Sequence, residues 1–349
     1  MTDTILAITT LWLFVFFYSI LGTMDFGAGF WSFLYFNKEK TKVTNVANRY
    51  LSPTWEVTNT FIVLLVISLY ALFPGAAYTL GTVLLIPGSL ILLLLAIRSA
   101  FLVFSHIATK YSKVLTYISG ITGIIIPALL ISVLPISHGN FVEGEKGQEV
   151  LNLSALFTSP HEYAFVGFGV FSTLFLSALL LSDYSKESNE VGAFKIYRKN
   201  AMITGPISLV FAFLVMWTMK SEAPWLYENM MEHSWMLLLS VLFFVIGGIG
   251  LYLPYFSKRD VKGMPRLAVI AIVIQYFIAS FAYGRAHLPY IVYPIVTLEN
   301  SFTDPATFRA VFIVIIICSA ILLPGFYLFW RLFMKDKRYL SQQKQESKK

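Results

Sequence analysis

Two carboxylates constrain this chain more than any other feature, because each lies in or beside an apolar run long enough to cross a bilayer. Asp25 sits in residues 21–31, LGTMDFGAGFW, and Glu56 in residues 52–60, SPTWEVTNT. A charge at membrane depth costs on the order of several kcal/mol unless it is paired, hydrated or neutralised. Any fold for this chain has to supply those acids with a partner, water or a proton.

Composition fixes the class. Hydrophobic residues make up 57 % of the chain and charged residues 13 %, against about a quarter charged in soluble domains. The mean hydropathy is +0.71. These values describe an all-α polytopic membrane protein. The one cysteine, Cys318, excludes an intrachain disulfide and a thiolate metal cluster. Asp3 is the only charge before Asp25, so the first apolar run lacks the basic start of a signal peptide and reads as a retained helix.

The apolar pattern predicts nine transmembrane helices, at about 5–36, 57–73, 80–105, 114–136, 161–182, 201–219, 235–256, 267–283 and 307–333. They form a single transmembrane domain over 1–334, followed by a basic cytoplasmic tail over 335–349. Two four-helix bundles plus one peripheral helix is the expected grouping. Gly167 and Gly169 open the fifth run much as Gly27 and Gly29 mark the first, which hints at a four-plus-four duplication.

The net charge of +7 raises nucleic acid as a partner, but the basic residues share no surface. Alternate connections (37–50, 106–113, 183–199 and 257–266) and the tail from Arg331 carry 21 of the 26 Lys and Arg. The intervening connections carry only Lys146, Lys220 and Arg285. By the positive-inside rule the N-terminus lies outside and the C-terminus is cytoplasmic. The basic loops are topology signals that meet anionic membrane lipid, and no nucleic acid is expected.

Around Asp25, Gly22, Gly29 and Ser32 fall at helical spacings of three and four, so they share a face open to close helix approach. In the second run Ser52, Glu56, Asn59 and Thr60 repeat likewise, a polar stripe that must face protein or water. Trp55 beside it also fits an interfacial anchor. Helix rise puts Asp25 about 16 Å from the inner end of its run, with Glu56 shallower on the same side. The third run carries Pro87, a predicted kink, and Arg98 at a similar depth. Arg98 either pairs with these acids or snorkels to the inner surface. Asp25 either packs against a cation or serves as a protonatable site in a hydrophilic path.

The five histidines, His106, His138, His161, His233 and His287, all fall at span ends or in connections. Bis-histidine haem ligation needs two imidazoles facing each other within a bundle, so these read as interfacial residues without a ligand role. No dinucleotide fingerprint, phosphate loop or metalloprotease motif is present. What the residues offer is a proton-competent polar cluster near one side of the membrane.

At these motifs the chain resembles subunit II of the cytochrome bd quinol oxidases, in the shorter, Gram-positive form. The family's Gly-Phe-Asp-x-Gly element is matched by Met24, Asp25, Phe26, Gly27, Ala28 and Gly29. Its Pro-x-Trp-(Asp/Glu) element is matched by Pro53, Thr54, Trp55 and Glu56, with Asn59 following. Phe73-Pro74 and Arg98 match a downstream motif and the third-helix arginine. The chain departs from the proteobacterial pattern after Arg98, where Ser99 and Ala100 replace a Pro and a Gly, and Val103 stands where that version has an Asp. The proton route attributed to that Asp does not carry over.

The resemblance implies a subunit that ligates no haem itself. Its partner in a heterodimer, subunit I, holds two b-type haems, haem d and the site for quinol, menaquinol or another. A small single-helix subunit is a possible third member. The complex would reduce oxygen to water in the bacterial cytoplasmic (inner) membrane, with Asp25 and Glu56 on the proton path and Arg98, Trp55, Asn59 and Thr60 in support. The rival reading from the residues is a proton- or cation-coupled secondary transporter, which intramembrane Asp25, Glu56 and Arg98 would also suit.

Overall fold

The computed structural model describes residues 2–36, 42–105, 112–144, 149–256 and 264–330. His106 and the 335–349 tail lie outside the described residues, as do the side chains of Ser52, Pro53, Thr54 and Glu56. Among the described residues the regular structure is helical, apart from two short two-stranded hairpins. In order the elements are α1 (Thr2–Leu34), α2 (Val43–Leu72), α3 (Pro74–Val83), α4 (Leu85–Ser105), α5 (Ser112–Ile131) and α6 (Val133–Ser137). The hairpin β1 (Val142–Glu143) and β2 (Val150–Leu151) follows, then α7 (Leu153–Thr158), α8 (Pro160–Glu187), α9 (Val191–Glu222), α10 (Pro224–Glu232), α11 (Ser234–Phe256) and α12 (Pro265–His287). The hairpin β3 (Tyr290–Val292) and β4 (Val296–Thr297), the short α13 (Leu298–Ser301) and α14 (Pro305–Trp330) complete the order.

Among the described residues eight helices are long and apolar enough to span a membrane. A ninth arises if residues Val57–Leu72 of α2 and all of α3 count as one span, though they bend by 119°. The bend has a local cause. Pro74 lacks an N–H, and its ring pushes the preceding residue out of the α region; Phe73 sits at φ −135°, ψ 65°. Ala223 before Pro224 adopts nearly the same geometry, φ −135°, ψ 64°, between α9 and α10. The order of two long helices, a short proline-led helix and two further helices therefore occurs twice, over α1–α5 and α8–α12.

Several sequence expectations change. The second run, expected at 57–73, begins at Val43, so half of the basic connection before it is helical. The third, expected at 80–105, breaks at Leu84, and Pro87 falls in the first turn of α4. Pro87 has no N–H to give the carbonyl four residues earlier, that of Val83, so the helix is interrupted one residue past it, where the expected disruption falls. The fourth, expected at 114–136, is interrupted at Ser132, and the sixth, expected at 201–219, extends to 191–222.

Helix α1 is central, packing on α2, α5 and α8. Small residues make this possible. A Cβ at Gly27 would overlap the Ser177 side chain of α8, and one at Gly123 of α5 would overlap the Phe26 carbonyl. Trp31 donates its ring N–H to Ser177 Oγ at 3.0 Å, tying α1 to α8. The core around these contacts includes Met24, Ala28, Trp31, Leu176 and Leu179.

Candidate functional site

The centre of the α1, α4 and α5 contact is an ion pair. Asp25 and Arg98 are 3 % and 2 % exposed, so neither charge reaches solvent. Arg98 Nε donates to Asp25 Oδ2 at 3.3 Å, and Nη2 donates to Oδ1 at 3.0 Å. The same Nη2 donates to the Asp25 backbone carbonyl at 2.8 Å. Nη1 turns to α5, donating to Ser119 O at 2.7 Å and to Ser119 Oγ and Thr122 Oγ1, each at 3.2 Å. Every guanidinium nitrogen is thereby engaged, which a desolvated arginine requires. The Phe26 ring adds an aromatic face 5.4 Å from Cζ.

Gly29 makes the approach possible. A Cβ there would lie 2.6 Å from Ser119 Oγ and 2.8 Å from Arg98 Nη2, so the glycine leaves the opening through which the guanidinium reaches α1. Arg98 spends its donors inside the protein and does not snorkel. Its acid partner is Asp25.

Other polar residues of α2 contact α1 on either side of Asp25. Thr58 Oγ1 donates to the Leu21 carbonyl of α1 at 3.3 Å, and Ser32 Oγ donates to Asn48 Oδ1 at 2.6 Å. Trp55, Asn59 and Thr60 are half-buried on this helix. The backbone of Glu56 belongs to α2, while its side chain is outside the described residues.

A second polar centre was missed by sequence reasoning. His138, His161 and His287 stand at helix ends as expected, but all three are buried and converge at one end of the helical assembly. His138 Nδ1 lies 3.0 Å from His161 Nε2, and His138 Nε2 lies 2.7 Å from the Tyr283 hydroxyl. His161 Nδ1 lies 2.8 Å from Thr218 Oγ1. His287 lies between Ser137 Oγ, at 3.2 Å, and the Tyr290 carbonyl, at 2.9 Å. Nearby Glu162 is buried, with Ser132 as its hydrogen-bond partner. Glu222 accepts from Ser159 Oγ at 2.6 Å and from the His161 backbone N–H at 3.3 Å. Burial holds His138 well below the ordinary imidazole range, and the neighbouring His287 and His161 add to that. The sequence held no signal for this cluster, since its members are spread over 150 positions with no common period.

These imidazoles do not fit a haem held between them. Haem iron takes two imidazole nitrogens on opposite faces at about 2 Å each, so they stand about 4 Å apart. The 3.0 Å contact leaves no such room. Among the described residues no group of three or more His, Cys, Asp or Glu is arranged to hold a metal ion.

Comparison with known proteins is consistent over nearly the whole chain. Residues 3–333 match the family model for cytochrome bd terminal oxidase subunit II. A Bacillus subtilis (strain 168) protein, provisionally described as cytochrome bd menaquinol oxidase subunit II, is 59 % identical over 343 residues. The alignment covers 98 % of this chain and 99 % of that protein. In the solved structure of the bd oxidase from Geobacillus thermodenitrificans, one chain superposes with a TM-score of 0.78 at 34 % identity. That match covers 97 % of this chain and all of the other.

Proposed function

The chain belongs to the family of subunit II of the cytochrome bd terminal oxidases, and from that premise we propose that its Asp25–Arg98 centre is part of a proton path feeding oxygen reduction. Membership makes it a membrane subunit of a quinol-oxidising, oxygen-reducing complex, paired with the haem-bearing subunit I. The coupled-transporter reading falls with that membership.

The observation that supports the path is the buried carboxylate on α1, held by one arginine, on a helix that also takes a hydrogen bond from Thr58 of α2. Oxygen reduction consumes protons as well as electrons, and its site lies away from water. Groups that exchange protons must therefore line the route. In this reading Glu56 collects protons at the cytoplasmic edge and Asp25 passes them inward. Ser119 and Thr122 give Arg98 alternative acceptors while Asp25 carries a proton. Trp55, Asn59 and Thr60 line the approach.

The same reading puts the N-terminus outside and the C-terminus in the cytoplasm, following the basic connections. It groups α1, α2, α4 and α5 in one four-helix bundle and α8, α9, α11 and α12 in a second, with α14 peripheral. The repeated element order supports that grouping. Menaquinol is the electron donor we assign to the complex, by similarity to the Bacillus subtilis relative.

The test is quinol oxidase turnover per haem in the purified complex, across pH. Asp25→Asn keeps the shape and removes the exchangeable charge. We expect normal haem content with much slower oxygen consumption, and a milder loss for Glu56→Gln, because water can bypass a shallow site. Full turnover in Asp25→Asn removes the residue from the path. Loss of haem together with activity shows that the pair holds the subunits together instead.

A further inference from the structure

The basic end of the assembly holds one group of cations that the protein does not neutralise. Lys42 pairs with Glu190 at 3.5 Å, and Arg266 pairs with Asp183 at 3.2 Å and with Glu187 at 3.0 Å. Among the described residues no acid stands within ion-pair distance of Lys195, Arg198 or Lys199. Arg198 and Lys199 lie three and four residues after Lys195 on α9, so the three cations share one side of that helix.

Arg198 is fixed at the seam between α9 and α11. Its Nε donates to the Leu251 carbonyl at 3.0 Å, and one turn further along α9 the Tyr252 hydroxyl donates to the Met202 carbonyl at 2.6 Å. Arg198 Nη2 is buried without a hydrogen-bond partner. The guanidinium is thus partly stripped of water and receives no counter-charge from the protein, while the rest of the side chain is only half-buried. An anion at its open side, between Lys195 and Lys199, would offset that charge.

The surface beside the cations is apolar. At about 100° per residue, Ile203, Val210, Phe213 and Trp217 fall within about 80° of arc with Lys195 and Lys199. All four are at least half exposed, from 50 % at Ile203 to 75 % at Trp217. Between Lys195 and Trp217 the helix rises about 33 Å, close to the thickness of a bilayer's hydrocarbon core. A tryptophan at the far end suits the opposite interface. Cations at one end of an exposed apolar stripe follow the polarity order of a phospholipid, headgroup first and acyl chain after. A free anion would have no use for the stripe.

We propose that Lys195, Arg198 and Lys199 form a headgroup site for an anionic phospholipid, with the phosphate at the open side of Arg198 and the acyl chains along the apolar stripe of α9. A phosphodiester fits the fork of a guanidinium. A zwitterionic lipid brings its own cation to three others, so the site discriminates by headgroup charge. Each cation at a membrane surface contributes about fivefold to such binding, and the three together about a hundredfold.

The experiment is native mass spectrometry of the complex purified with its partner subunit, delipidated in neutral detergent and titrated with dioleoyl phosphatidylglycerol or dioleoyl phosphatidylcholine. The first equivalent of phosphatidylglycerol should bind about a hundredfold tighter than phosphatidylcholine. Arg198→Gln should weaken it about fivefold or more, and the Lys195→Gln, Lys199→Gln double variant about 25-fold. Lys113→Gln is the control, since it removes an exposed cation at the start of α5, at the same end of the assembly; it should change the affinity less than twofold. If Arg198→Gln does not assemble, the double variant decides, because both lysines are exposed. A large excess of inorganic phosphate should not displace the lipid. Equal affinity for the two lipids, losses no greater than that of the control, or displacement by phosphate overturns the proposal. So does a wild-type complex that takes up no phosphatidylglycerol, which would put the partner subunit over this face.

Discussion

Arg98 holds Asp25 by three contacts at once: both carboxylate oxygens, at 3.0 and 3.3 Å, and the backbone carbonyl of the same residue, at 2.8 Å. The arginine therefore fixes both the charge and the helix that carries it. Replacing Arg98 by Met leaves a buried carboxylate without its counter-charge, and the expected loss is about 3–5 kcal/mol. Arg98→Lys should recover only part of this, because an ammonium cannot span Asp25 and Ser119 with a planar fork. The check is the melting temperature and yield of the purified complex. Wild-type values for Arg98→Met would show that the pair contributes nothing to the assembly.

The approach of α5, and of the Arg98 guanidinium, to α1 depends on the missing side chain at Gly29. Alanine there would meet Ser119 Oγ at 2.6 Å, Arg98 Nη2 at 2.8 Å and the Ser119 carbonyl at 2.9 Å, and one of these is backbone. Overpacking of this kind costs about 1–3 kcal/mol. Gly248→Ala is the control, since nothing lies within 4 Å of a Cβ there; it should gain about 0.5–1 kcal/mol from helix propensity. Opposite shifts in melting temperature are expected for the two, and equal shifts would mean that the Gly29 opening is not used.

How much of this could be read from the chain differs by residue. Asp25 and Arg98 stood out because an ion in an apolar run has few tolerable environments. The chain alone left open which acid the arginine takes, since helix rise gives depth and not direction. The break at Phe73 was hidden for another reason. Residues 74–83 are as apolar as a span, and only the proline marks that the helix turns by 119°. The histidine cluster was beyond reach: His138, His161 and His287 come from three helix ends, and no spacing along the chain predicts their meeting.

At the start of α14, Asp304 Oδ1 accepts from the backbone N–H of Ala306, at 3.0 Å, and of Thr307, at 2.9 Å. Hydrogen bonds from Thr307 hold this exposed carboxyl below its ordinary range. A lowered acid contributes stability above its unfolded value, about 3.9, and loses it as pH falls through the folded value. Asp304→Asn keeps a capping oxygen and abolishes the titration. Its melting curve should match wild type near neutral pH and fall less steeply below pH 4. Identical acid limbs would show that the cap does not depend on the charge.

The last prediction separates the two roles open to the ion pair. Asp25→Asn alone leaves Arg98 as a buried cation, and Arg98→Gln alone leaves Asp25 as a buried anion. Each single change is costly for the charge it strands and for the contact it loses. The double variant strands neither, and an amide pair of similar shape can still hydrogen-bond across the same gap. Stability should therefore be strongly non-additive, with the double variant melting closer to wild type than either single. Turnover should not follow. If Asp25 passes protons, the double variant keeps the normal haem content of Asp25→Asn and regains melting temperature but still consumes oxygen slowly, because no exchangeable group remains at that depth. If the pair is only a clasp, oxygen consumption recovers along with stability. Measuring melting, haem content and turnover on the same four preparations gives both answers, and recovery of all three together would sink the proton-path assignment while leaving the clasp intact.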